Sequence, residues 1–207
     1  RMEFLLTGEQ ECMLGVYTEN EAQYFPASII SLQKDDVFID AGACCGETTE
    51  ELLQYTKGKC KKAYLFEPNK KILDVAKEIF QFSDYENIEF FYGGLYDTNR
   101  KIGFNDEERI GVTNVSEKFE NKIEVVSLDE FMKDKNEKVT FIKMDIEGSE
   151  KEALIGASHI IKTELPKLAI CVYHKYEDLW EIPYMIKQFS DQYDIYLRHH
   201  SASNTET

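Results

Sequence analysis

An apolar run that leads into a glycine turn, at residues 37–48, limits the folds open to this chain more than any other stretch. Three apolar residues precede Asp40, and a turn containing Gly42 and Gly46 follows before an amphipathic run begins. This order predicts a buried parallel strand, a tight turn and the start of a helix. The two glycines lack a Cβ, so the backbone of the turn can approach a ligand closely. We therefore expect Asp40 at the carboxyl end of a strand, where open α/β sheets bind ligands.

The spacing of these glycines argues against two common nucleotide-binding motifs. Gly42 and Gly46 form G-x-x-x-G, not the G-x-G-x-x-G of a dinucleotide-binding turn, and no Gly-Lys-Ser/Thr follows them. A nicotinamide-dependent oxidoreductase and a P-loop enzyme are therefore improbable. Taken by itself, the turn also fits a plain strand-to-helix connection that binds nothing.

The rest of the chain alternates between strand and helix patterns, which predicts an α/β fold with a doubly wound, mostly parallel sheet. Its 207 residues suit a single domain over 1–207, with an N-terminal cap at 1–33 and a hairpin insert at 97–121. The predicted strands are 37–40, 63–66, 88–92, 123–126, 139–144, 168–173 and 195–199, with a further strand or hairpin at 12–17. The predicted helices are 19–32, 47–55, 70–80, 128–132, 149–155 and 184–189.

Charge and cysteine content limit the partners and the compartment. The formal net charge of −15 disfavours nucleic acid, because a negative field repels phosphate backbones. The five cysteines have no metal-ligand spacing, and reduced thiols in a cytoplasmic protein explain them most simply. No apolar run approaches the ~20 residues that cross a bilayer, and no signal peptide opens the chain. The oligomeric state stays open, with a homo-oligomer among the alternatives.

Three predicted strands end in an acid, namely Asp40, Glu67 and Asp145. In a doubly wound sheet these strand ends lie along one edge, so we expect the three carboxylates to share a cleft. The two oxygens of Glu67 suit the two hydroxyl donors of a ribose. Asp145 suits an ammonium group or a metal near the glycine turn. The alternative for each acid is a helix cap or a solvated loop; together they favour a nucleoside ligand with a cationic or polar tail.

Four blocks of sequence carry a family resemblance: Asp40-x-Gly42-Ala43-x-x-Gly46-x-Thr48, Phe66-Glu67-Pro68, Ser127-Leu128-Asp129-Glu130-Phe131, and Lys143-x-Asp145-x-Glu147-Gly148-x-Glu150. Over residues 24–206 the chain resembles the FkbM-type methyltransferases, which have the Rossmann-like class I methyltransferase fold. It departs from them at Cys44-Cys45, where the family often has Asn-Ile or a similar pair. The family usually adds one more antiparallel strand beyond residues 205–207, so this sheet is expected with or without that last strand.

The resemblance implies a transferase that uses S-adenosylmethionine to methylate a hydroxyl of a carbohydrate or glycosylated natural product, as in polysaccharide modification. The alternative is a cofactor-binding protein of the same fold without turnover. By the resemblance, Glu67 binds the ribose hydroxyls, Gly94 and Leu95 lie near the adenine, and Asp145 faces the methionine end. The full set of implied cofactor residues is Asp40, Gly42, Ala43, Gly46, Thr48, Glu67, Pro68, Gly94, Leu95 and Asp145.

Removal of the acceptor proton requires a base, and His174 is the first candidate. It follows a predicted buried strand, and an ordinary histidine titrates near neutral pH. Glu147 is the second candidate, and together with Asp145 it offers oxygen ligands to a divalent ion, whose requirement stays open. Lys143 is expected to pair with a neighbouring acid. The small-molecule or saccharide acceptor itself is not specified by the sequence.

Overall fold

A computed structural model describes residues 22–83, 85, 87–106, 113–115 and 121–200. The strand or hairpin predicted at 12–17 lies outside the described residues. Contacts between Cα atoms divide the chain into two units, one made of 1–31 and 171–207 and the other of 32–170. The strands are β1 (Val37–Ala41), β2 (Lys62–Glu67), β3 (Ile88–Tyr92), β4 (Gly94–Leu95), β5 (Arg100–Asp106), β6 (Thr113–Val115), β7 (Lys122–Val126), β8 (Phe141–Met144) and β9 (Lys167–Ile170). The helices are α1 (Glu47–Tyr55), α2 (Lys70–Gln81), α3 (Leu128–Met132), α4 (Glu150–Gly156), α5 (Ser158–Glu164) and α6 (Asp178–Phe189).

The larger unit is organised around a five-stranded parallel sheet in the order β3-β2-β1-β8-β9. Strand β1 occupies the centre, where Ile39 lies between Tyr64 of β2 and Ile142 of β8. Every residue of β1 is buried, as expected for a central strand that is covered on both faces. The α/β fold with a mostly parallel sheet is therefore confirmed.

Local sequence sets the ends of the helices in this unit. The side chain of Asn69 accepts hydrogen bonds from the amides of Lys71 and Ile72, and so begins α2. Ser127 begins α3 in the same way, through the amide of Glu130. Gly58, at φ 72°, donates its amide to the carbonyl of Leu53 just after the end of α1.

A second, four-stranded sheet in the order β4-β7-β5-β6 belongs to the same unit. Strands β5 and β6 pair antiparallel within the stretch 97–121. Strand β4 pairs in parallel with β7, which places Gly94 opposite Val125. A small apolar core holds this sheet together through Ile102, Phe104, Ile123 and Val125.

Two predicted elements are wrong. The helix predicted at 19–32 is a single turn at 27–29 in its described part, because Pro26 interrupts the pattern and its carbonyl accepts the amides of Ile29 and Ile30. The strand predicted at 195–199 has no regular structure, and it pairs with no strand in the described part of the chain. The strand predicted at 168–173 ends at Ile170.

The smaller unit contributes α6, which includes the helix predicted at 184–189 and carries Pro183 inside it. The Tyr24 hydroxyl and the Cys171 thiol lie 3.6 Å apart in this unit. Among the described helices, none combines the length and the apolar character needed to cross a bilayer.

Gly156, the last residue of α4, packs against the backbone of Tyr96, the residue that follows β4. A Cβ at this position would lie 1.9 Å from the carbonyl oxygen of Tyr96. Replacing a helical glycine with alanine normally stabilises a protein by about 0.5–1 kcal/mol. Here we expect Gly156→Ala to lower the free energy of unfolding by about 1–3 kcal/mol, because backbone cannot yield as a side chain does. Urea unfolding of the variant measures this.

Gly94→Ala is the matched control. Its Cβ would lie 3.7 Å from Val125 Cγ1, an ordinary van der Waals contact. We expect this variant to be neutral or more stable by up to about 1 kcal/mol. A Gly156→Ala protein as stable as Gly94→Ala would contradict the packing argument.

Candidate functional site

A cleft opens at the carboxyl ends of the central strands, where the strand order reverses between β1 and β8. This switch point is where open α/β sheets bind ligands. The cleft has a volume of about 400 Å³, including space open to solvent. Its lining is mostly apolar, with one carboxylate and one hydroxyl, and consists of Gly42, Phe66, Pro68, Gly94, Leu95, Val125, Asp145, Ile146 and Ser149.

The glycine turn after β1 forms one wall of this cleft. Gly42 has φ 74°, and a Cβ there would lie 1.8 Å from the carbonyl oxygen of Asp145, so only glycine fits. The amides of Gly42 and Ala43 both donate to the carbonyl of Phe66, at 3.0 and 3.1 Å. The turn is therefore fixed to the end of β2. Gly46, at φ 90°, then begins α1.

A buried ion pair lies beneath the turn. Asp40 is fully buried, and its Oδ1 lies 3.1 Å from Lys143 Nζ, which confirms that Lys143 pairs with a neighbouring acid. The Thr49 hydroxyl donates to Asp40 Oδ2 at 2.7 Å. Lys143 also donates to the Gly42 carbonyl at 2.7 Å. Asp40 thus acts on the conformation of the turn, and direct contact with a ligand stays a prediction for it.

Glu67 closes β2 with a buried carboxylate that is 4% exposed. Its Oε2 accepts the Cys44 amide at 2.9 Å and its Oε1 accepts the Asn69 amide at 2.8 Å. Each carboxylate oxygen has two lone pairs, so each can accept one further hydrogen bond. Burial raises the pKa of Glu67, although these two amides and Lys143 act in the opposite direction. The side chain is therefore a fixed acceptor pair suited to a vicinal diol.

The segment between β8 and α4 places the second carboxylate of the site. The Asp145 amide donates to the Ala41 carbonyl at 3.0 Å, which continues the pairing of β8 with β1. Glu147 and Gly148 then both have positive φ, 56° and 89°. Glu150 is fully buried, and its Oε1 accepts the Ile146 amide at 2.9 Å. The Asp-x-Glu-Gly-x-Glu block therefore encodes a tight turn that presents Asp145 to the cleft.

The structure brings half of the predicted cofactor residues together as lining of one cleft, namely Gly42, Pro68, Gly94, Leu95 and Asp145. Ala43 and Gly46 lie in the turn beside it, and Thr48 is half-buried in the first turn of α1. Glu147 belongs to the turn after β8. His174 belongs to the smaller unit, where its ring lies 4.1 Å from that of Tyr173 between centroids.

Sequence reasoning missed four lining residues and one supporting residue. Phe66, Val125, Ile146 and Ser149 line the cleft although nothing in their residue types indicates ligand binding. Phe66 and Ile146 are immediate neighbours of predicted site residues, which is the one signal available for them. Thr49, not Thr48, bonds Asp40. The helical pattern at 47–55 could have identified Thr49, since it places this residue on the buried face with Leu52 and Leu53.

Comparison with known proteins adds a family and a fold. The family model for the methyltransferase FkbM domain matches residues 40–200. A methyltransferase FkbM from Methylobacillus flagellatus is 28% identical with a TM-score of 0.82, over 98% of this chain and 50% of that protein. The chain thus spans about half the length of that relative. No curated protein matches the sequence.

Two more distant structures are also similar. A SAM-dependent methyltransferase from Aquifex aeolicus is 13% identical with a TM-score of 0.46, over 88% of each chain. An rRNA methylase from Streptococcus thermophilus is 18% identical with a TM-score of 0.46, over 75% of this chain and 71% of that one.

The Asp40–Lys143 pair yields a stability prediction. Lys143→Met leaves a buried carboxylate without its cation, and we expect a loss of about 3–5 kcal/mol in the free energy of unfolding. The double variant Asp40→Asn, Lys143→Met removes both charges and keeps an acceptor for Thr49. It should recover most of that loss. Urea unfolding of the three proteins measures both effects.

Lys133→Met is the control, since Lys133 pairs with Glu130 on the surface, where the two side chains are 63% and 58% exposed. We expect it to cost less than about 1 kcal/mol. If Lys143→Met costs no more than this control, the buried pair does not support the turn.

Proposed function

Since the chain belongs to the FkbM methyltransferase family, we propose that it transfers a methyl group from S-adenosylmethionine to a hydroxyl oxygen of a carbohydrate or glycosylated acceptor. The observation that carries this proposal is the cleft at the switch point, whose lining residues Phe66 and Pro68 flank Glu67 and its acceptor pair in the sequence. The family supports methyl transfer, and the acceptor class rests on the resemblance of the sequence blocks.

The residues present fit this cofactor. Glu67 offers one remaining lone pair on each oxygen to the two ribose hydroxyls. Phe66, Pro68 and Leu95 give an apolar lining that suits the adenine ring. Gly42 allows the turn to pack directly against the carbonyl of Asp145, another lining residue of the cleft.

The charges of the site fit the tail of the cofactor. Asp40 and Lys143 neutralise each other in the interior, at 3.1 Å. Glu67 and Asp145 therefore leave the cleft negative, which favours a ligand with ammonium and sulfonium groups. When bound, S-adenosylmethionine supplies an electrophilic methyl group.

The protein's share of the reaction is orientation and the management of one proton. Orientation of the acceptor oxygen can contribute up to ~7–11 kcal/mol, and a general base a further ~10²–10⁴-fold. We propose His174 as that base, with Glu147 as the alternative. Asp145 and Glu147 remain the residues for a divalent ion, if the reaction needs one.

Free thiols at Cys44, Cys45, Cys60 and Cys171 support a reducing compartment, and we propose the cytoplasm.

Glu67→Gln tests the cofactor assignment. The variant keeps the shape of the side chain but exchanges one acceptor for a donor, so we expect the Kd for S-adenosylmethionine to rise about 10–100-fold at neutral pH. Protonation of Glu67 removes the same acceptor from the wild type. Because burial raises the pKa of Glu67, the ratio of the two Kd values should shrink as the pH falls through that raised pKa. Calorimetry across a pH series measures the ratio.

The control is Glu130→Gln, since Glu130 is an exposed acid on α3 and should leave the Kd unchanged. A folded wild-type protein that fails to bind the cofactor at millimolar concentration would refute the assignment. So would a Glu67→Gln variant that binds as the wild type does.

Transfer itself is tested with methyl-labelled cofactor and a panel of saccharide acceptors. We expect His174→Asn to lower kcat about 10²–10⁴-fold without changing the Kd for the cofactor. His159→Asn, an exposed histidine on α5, is the matched control. Addition of a chelator shows whether a metal takes part. Tight cofactor binding with no labelled product across the panel would instead favour a binding protein without turnover.

A further inference from the structure

Three potential metal ligands, Cys44, Cys45 and Glu47, converge beside the glycine turn. The Cys44 and Cys45 sulfurs lie 4.0 Å apart. Each offers one ligand atom together with Glu47, and the three atoms all lie within 4.8 Å of one another. Two sulfurs at ~2.3 Å from a tetrahedral zinc ion stand about 3.8 Å apart, so the observed spacing is close to that of a zinc site.

The backbone already holds the two cysteines in this arrangement. Cys44 has φ 49°, a left-handed conformation that costs a non-glycine residue of order 1–3 kcal/mol. Its amide is bonded to Glu67 Oε2 at 2.9 Å. A hydrogen bond from the Gly46 amide to the Ala43 carbonyl, at 2.8 Å, closes the turn that contains both cysteines. The backbone of the loop therefore fixes the Cα positions of both cysteines, and rotation about χ1 is the main freedom left to each sulfur.

We propose that Cys44, Cys45 and Glu47 bind a thiophilic divalent cation of the zinc class. Two sulfur ligands select zinc or cadmium over magnesium and calcium, and one carboxylate completes a three-ligand set. Cys44 and Cys45 are half-buried and Glu47 is exposed, so solvent can supply the fourth ligand. The site does not depend on the proposed methyl transfer, and its three ligands include neither Asp145 nor Glu147.

Binding exchanges protons for the ion. The two thiols each lose a proton to solvent when the sulfur binds the cation, and the carboxylate binds as it stands. The affinity of the site therefore rises with pH. Burial also raises the pKa of Cys44 to about 12, so its free thiol is protonated at neutral pH until a metal displaces the proton.

The other cysteines of the described residues provide internal controls. Cys60 is buried, and its thiol donates to the carbonyls of Asp36 and Lys62. Cys171 is also buried and lies in the smaller unit. Neither belongs to a cluster of ligands with Cys44 and Cys45. A thiolate signal from this protein can therefore be assigned by substitution.

The experiment titrates the reduced, metal-stripped full chain with Cd²⁺ and follows the ultraviolet charge-transfer absorption of cadmium thiolates. We expect one Cd²⁺ per chain, with the absorption removed when Zn²⁺ is added as competitor. Cys44→Ser, Cys45→Ser together should abolish the absorption. Cys60→Ser, Cys171→Ser and Cys12→Ser should each retain it. Glu47→Gln should keep the thiolate absorption and weaken binding about tenfold or more.

Two results would overturn the proposal. One is a folded wild-type chain, checked by circular dichroism, that shows no thiolate absorption with Cd²⁺. The other is an absorption of full size in the double serine variant. If the double variant does not fold, the single variant Cys45→Ser replaces it, because Cys45 does not have the left-handed backbone of Cys44. Thiolate absorption of full size in this single variant would likewise overturn the proposal. These results are independent of cofactor binding, which is measured separately on the same proteins.

Discussion

The buried pair of Asp40 and Lys143 is the interaction on which the site depends. An aspartate without exposed surface in a central strand needs a cation, and Lys143 comes from the neighbouring strand at 3.1 Å. The same ammonium group reaches the carbonyl of Gly42, at 2.7 Å. Lys143 thereby balances the charge of Asp40 and fixes the turn that follows β1. Two of the sequence motifs thus each supply one partner of this ion pair, the first Asp40 and the second Lys143.

Glu67 holds the same glycine turn from the end of β2. Its carboxylate holds the amides of Cys44 and Asn69, and so it joins the glycine turn to the start of α2. The same two oxygens keep the lone pairs that we assign to a ribose. A carboxylate that two backbone amides already hold is preorganised, because this side chain need not be ordered when a ligand binds.

Much of the fold was predictable, because buried parallel strands and amphipathic helices leave clear patterns. The strand predicted at 37–40 and the helix predicted at 70–80 each differ from β1 and α2 by one residue at the end. The helix expected at 19–32 is wrong because Pro26 interrupts its helical spacing. The strand expected at 195–199 is wrong because strand-forming residues need a neighbouring strand, and none in the described part of the chain pairs with this segment. Half of the predicted cofactor residues line the cleft, because strand ends and glycine turns can be located from the sequence and both lie at the ligand-binding edge of such a sheet. Val125 and Ser149 were missed because only tertiary packing brings them there.

The turn after β1 is fixed from within the protein, by a lysine, a threonine and two amides on the Phe66 carbonyl. None of these contacts involves the stretch 97–121. Diversification of such a scaffold can therefore proceed by exchange of peripheral segments while the inner network stays intact. Insertions or exchanges at the periphery can in this way leave the geometry of the turn unchanged.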